Sequence, residues 1–199
     1  MSNEVMKKDT GSVALFGDDL QKGFENMTQE DMALPFVRIL GQLSPQVTDG
    51  DAKYIDGAKP GMIYNTVTSE CFDGKKGIKV IPCYYKKDFP EWSDRGDGPG
   101  APVAVHLPNS PVIQTGKRDG SKIRLPNGNY LEETASYYVL VETKAGGMTP
   151  ALISMKSTQL NVSKKWNSMM KTIQIPDGKG GMAIPPMHGV VYNLQSVLQ

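Results

Sequence analysis

The segment CYYKKDFPEW, residues 83–92, sets Tyr84, Tyr85, Phe89 and Trp92 beside Lys86 and Lys87, with Arg95 just beyond. Rings next to cations suit single-stranded nucleic acid. Bases stack on the rings, at about 1–3 kcal/mol per base, and the cations meet phosphates. Successive strand residues point to opposite faces, so one of Tyr84 and Tyr85 can join a core while the other presents its ring outside. A plainer alternative stands beside this one: both tyrosines fill a sheet and the lysines guard a strand edge against aggregation.

A second stretch of the same kind is MKSTQLNVSKKWNSMMK, residues 155–171. Val162, Trp166, Met169 and Ile173 fall at i, i+4, i+7 and i+11, which predicts one apolar helical stripe, with Ser157 or Thr158 as its cap. Trp166 is therefore expected to plug a core. Lys164, Lys165 and Lys171 lie off that stripe and, with Lys156, stay available for phosphate. GKRDGSKIR, residues 116–124, adds Lys117, Arg118, Lys122 and Arg124 on a predicted hairpin that either wraps a nucleic-acid strand or is an ordinary soluble loop.

Other chemistry finds little support. His106, His188, Cys71 and Cys83 lack the close-spaced pairs of a zinc site. No G-x-S-x-G elbow, Walker loop or Rossmann glycine pattern occurs. FDGKKG and PDGKGG look suited to phosphate, yet neither leads into a helix whose N-terminus could hold one. The expectation is no catalytic residue, no metal and no cofactor, hence no enzyme.

The elements that must position these residues are short. LPFVRILGQLSP suits a buried strand or a short ordered segment, and MIYNTVT (62–68) reads as a strand. IKVIPCYYKK (78–87) is the strongest strand. In it Ile78, Val80 and Pro82 face one way and Ile81, Cys83 and Tyr85 the other, and Pro82 implies an edge or a bulge. Residues 88–102 read as a loop, 103–107 as a strand, and 136–143 and 151–155 as two more, with a terminal strand after the helix. Five to seven strands and one embedded helix predict a small mainly-β barrel or sandwich with the helix near the C-terminus, of which an OB-like small barrel is the best-known version.

At 199 residues, 39% apolar and 22% charged, the chain fits one globular domain with a tail. Residues 1–31 carry seven acids and three bases and read as a flexible acidic arm, with one short helix near 17–24. From totals of 22 bases and 21 acids, that leaves 19 bases and 14 acids, or +5, on residues 32–199, the expected nucleic-acid-binding domain. The arm either limits promiscuous binding by competing for the lysines or merely solvates the chain. No run reaches the roughly 20 apolar residues of a membrane span, and no secretory leader is evident. A cytoplasmic protein is the expectation.

Four segments, in order, resemble a family of phage-encoded proteins described as single-stranded DNA-binding: LPFVRILGQLSPQV, PGMIYNTVTSE, IKVIPCYYKKDFPEW and ISMKSTQLNVSKKWNSMM. The tyrosine pair with its following lysines and the S-T-Q-L…K-W helix are the more distinctive pieces. The resemblance implies an OB-like single-stranded DNA binder in phage replication or recombination, partnered by proteins of those processes and compatible with homo-oligomerisation. The acidic tail common at the C-terminus of such binders is missing: no acid follows Asp177. A protein-interaction module and a strand-annealing protein are the competing expectations.

Overall fold

The computed structural model describes residues 24–28, 31–94 and 101–197. The chain divides into Met1–Ala33 and Leu34–Gln199. In the first unit the Met27 N–H donates to the Phe24 carbonyl at 3.0 Å, and the Thr28 N–H and hydroxyl both donate to Asp31 Oδ2. The short helix expected near residues 17–24 lies almost wholly outside the described residues, as does Arg95.

The second unit begins with β1 (Val37–Ile39), β2 (Ile63–Asn65), β3 (Cys71–Phe72), β4 (Ile78–Trp92) and β5 (Ala104–His106). After a single turn of helix, α1 (Val112–Thr115), come β6 (Lys117–Asp119), β7 (Lys122–Arg124), β8 (Tyr130–Glu132), β9 (Thr134–Glu142) and β10 (Met148–Lys156). The main helix α2 (Gln159–Thr172) and the short β11 (Ile175–Pro176), β12 (Met182–Ala183) and β13 (Tyr192–Leu194) complete it. The mainly-β expectation with one substantial helix near the C-terminus holds. The OB-like barrel does not appear in the pairing. The principal sheet runs β10-β9-β4-β8-β7-β6, with β13 and β5 also paired to β4, and its two end strands do not meet.

β4 is longer than the sequence pattern suggests, because DFPEW, expected in a loop, continues the strand. Those residues pair on both sides, with β5 through Phe89–Glu91 and with β8 through Glu91–Trp92. Partners distant in sequence supply this pairing, and tertiary context overrides the local turn signal. Pro82, which admitted an edge or a bulge, sits at a bulge: the β4–β9 register shifts between Pro82 and Tyr84.

The core lies between this sheet and α2. Val80, Tyr137, Val139, Val141 and Ile153 line the covered side, and Trp166 and Met170 close over them. The apolar stripe of α2 differs from the expected one. Ser163, Trp166 and Met170 are buried, whereas Val162 and Met169 are each 53% exposed. The buried serine explains the rotation. Tyr137 Oη lies 2.7 Å from Ser163 Oγ and 2.9 Å from Asn167 Oδ1. One hydroxyl carries one proton, so it can accept from Ser163 and donate to Asn167. A tyrosine hydroxyl buried in the core must be satisfied, and it draws the serine inward in place of Val162. Thr158 stands at the N-cap but makes no side-chain capping bond.

Candidate nucleic-acid interface

The bulge at Cys83 decides which tyrosine faces outward. Before it, Ile78, Val80 and Pro82 point into the core; after it, Tyr85 does, 5.1 Å from the ring of Tyr137. One extra residue reverses the alternation. The expectation that Tyr85 lies opposite Val80 is thereby corrected. Tyr84 takes the outer side, 59% exposed.

Tyr84 does not stand alone there. Directly across from it on β9 is Tyr138, 41% exposed, with ring centroids 5.8 Å apart and the rings tilted by 51°. Cross-strand partners share a face, so the neighbouring rows can be read from register. Ile81 and Leu140 lie on one side of the tyrosine pair, Lys86 and Ser136 on the other, then Asp88 and Thr134. Lys156 of β10 extends that last row. Lys86 Nζ lies 2.7 Å from Asp88 Oδ2, and this carboxylate raises the lysine pKa above its usual value.

The same side of β4 continues through Pro90 to Trp92. Trp92 faces Tyr130, Tyr130 faces Arg124, and Arg124 faces Lys117, one row across four strands. Lys122 Nζ sits 3.7 Å above the Tyr130 ring. Arg124 pairs with Asp94 at 3.2 Å and with Asp119 at 3.5 Å, and Asp94 contributes most to raising its pKa. The Trp92 indole nitrogen is buried without a hydrogen-bond partner.

Of the residues picked out by sequence, Tyr84, Lys86, Trp92, Lys117, Lys122, Arg124 and Lys156 therefore share one side of the sheet. Tyr85 and Lys87 point to the other, Lys87 toward Glu133 at 2.6 Å, and Arg118 alternates away from Lys117. Lys164, Lys165 and Lys171 ride on α2, which covers the side opposite Tyr84 through the Trp166–Tyr137 contact at 4.5 Å. Among the described residues they make no ion pair. Sequence reasoning missed Tyr138 and Tyr130. Tyr138 follows Tyr137 in SYYVLVET as Tyr85 follows Tyr84, and two adjacent tyrosines on each of two strands were the available signal. No group of three or more His, Cys, Asp or Glu that could hold a metal is present among the described residues.

A polar corner fixes the far end of β4. Glu91, nearly buried, accepts from Asn129 Nδ2 at 2.6 Å and Asn127 Nδ2 at 3.1 Å, and its Oε2 lies 2.7 Å from His106 Nε2. These bonds, Asn129 first, hold its carboxyl below the usual carboxylate range, against the opposing effect of burial. A carboxyl depressed in the folded state contributes stability that is full above its unfolded pKa and lost as pH falls through the folded one. Glu91→Gln is expected to cost about 1–3 kcal/mol at neutral pH, because the amide cannot serve all three donors. It should also flatten the fall in melting temperature on acidification. Parallel acid profiles for the two proteins would remove Glu91 from that role.

No helix among the described residues is long and apolar enough to cross a membrane. In comparisons with known proteins, a family model described as Pam3 phage gp34-like protein matches residues 7–199. No curated protein and no solved structure matches the chain.

Proposed function

The chain belongs to the Pam3 phage gp34-like family, and from that footing we propose that it is a non-enzymatic, largely sequence-independent single-stranded DNA-binding protein of phage replication or recombination. The observation that carries the reading is the exposed Tyr84–Tyr138 pair with Lys86 beside it. Two large rings left open on a sheet, each the cross-strand partner of the other, offer a base somewhere to stack. Lys156 on the same face, paired with Glu132 Oε2 at 2.7 Å, and Lys122 on β7 and Lys117 on β6, toward the Trp92 end of the sheet, give the backbone cations to follow. Lys117 and Lys122 make no ion pair among the described residues.

Binding of a labelled dT oligonucleotide, followed by fluorescence polarisation, tests this. Three phosphate contacts predict a log–log salt slope of about −2. Absence of binding at low salt, or binding indifferent to salt, would sink the proposal.

A second reading rests on different residues. Val103, Val105 and Leu107, on β5 and immediately to either side of it, are all more than half exposed, with no Asp, Glu, Lys or Arg among residues 101–107. Such a strip favours a protein partner. A pull-down that survives nuclease treatment, with no oligonucleotide shift, would select this reading over the first.

A further inference from the structure

We propose that a cleft at the opposite end of β4 from Trp92 binds a nucleotide-sized organic phosphate. The cleft encloses about 790 Å³. Ligand sites for small molecules fall at roughly 300–1,000 Å³. Its walls are the turn from Gly57 to Met62, the turn at Asp73–Lys75, and the C-terminal segment at Gln195–Val197.

The chemistry of the lining selects the ligand class. Lys59 and Lys75 enter from separate turns, and neither makes an ion pair among the described residues. Asp73 is the one acid in the lining, and its Oδ1 already accepts the Lys75 N–H at 2.9 Å. Pro60, Met62 and Val197 give an apolar wall for a sugar and base. Gly57, Gly61 and Gly74 add no side chains, so a compact anion can approach the backbone. FDGKKG, which lacks a following helix, would thus supply Lys75 through a turn, with Lys59 as the second cation.

The wall is built in advance of any ligand. The Ser196 N–H donates to the Gly74 carbonyl at 2.9 Å, and its hydroxyl donates to the Gly61 carbonyl. A Cβ at Gly74 would collide with that carbonyl and with Ser196 Oγ. Only glycine lets the two turns and the C-terminal segment close together.

The shared chemistry is a phosphate carried on a nucleoside, either a free mononucleotide or the phosphorylated end of a DNA strand. Calorimetric titration of the full chain with dTMP, thymidine, and dT oligonucleotides bearing a 5′-phosphate or a 5′-hydroxyl separates the sources. Saturable dTMP binding is expected, about tenfold weaker after Lys59→Gln with Lys75→Gln. An advantage of the phosphorylated oligonucleotide that vanishes in the lysine variant assigns the site to strand ends; equal binding of both oligonucleotides assigns it to free nucleotide. No saturable dTMP binding, thymidine binding as tightly as dTMP, or an unchanged affinity in the lysine variant overturns the proposal. Both lysines are exposed, and a far-UV spectrum matching the parent shows that the variant folds.

Discussion

Tyr84→Ala combined with Tyr138→Ala is expected to weaken dT oligonucleotide binding about 30-fold. That corresponds to ~2 kcal/mol, the middle of the range for one stacked base. Melting should fall by only a few degrees, because an exposed cross-strand aromatic pair contributes about 0.2–1 kcal/mol. Each single variant leaves one ring and should lose less than half of the effect in free energy if one base spans both. Affinity unchanged in the double variant would show that the outer face is not the binding surface. Lys164→Glu with Lys165→Glu makes a useful contrast. Those lysines lie on α2, across the sheet from the tyrosines, so any deficit should come from long-range charge and fade as salt rises. A deficit that persists at moderate salt would move the site to the helix.

The largest effect on stability is expected at Trp166. It is 5% exposed, with Tyr137 at 4.5 Å and Tyr192 at 5.7 Å between ring centroids. It joins α2 to β9 and to the terminal β13. Trp166→Ala should cost about 3–5 kcal/mol from lost burial and the cavity left behind. For a chain of this length that lowers the melting temperature by roughly 6–20 °C. Trp166→Phe should cost clearly less. The indole nitrogen is buried with no partner, so removing it relieves an unmet donor while most of the ring contact remains. Thermal unfolding followed by circular dichroism checks both. A drop of only a few degrees for the alanine variant would mean that α2 contributes little to the core.

Much of the local structure was legible beforehand. β9 and β10 read directly from SYYVLVET and ALISM, the hairpin β6–β7 from its RDG turn, and α2 from its spacing and the break after it. These features depend on side-chain period and turn residues, which are local properties of the chain. Trp166 as a core residue was legible for the same reason. The aromatic and basic composition of the candidate face was also visible, because residue types need no coordinates.

What could not be read was which of those residues share a side. A bulge at Cys83 moves Tyr84 outward and Tyr85 inward, and register with β9 places Tyr138 against Tyr84 although 54 positions separate them. The buried hydroxyl of Tyr137 turns α2 so that Ser163 is covered and Val162 is not. DFPEW became strand because β5 and β8 pair with it. The sequence by itself determined the mainly-β character, the one substantial helix and the stock of rings and cations. Tertiary structure alone decided their grouping, because strand register and helix rotation are set by partners distant in the chain.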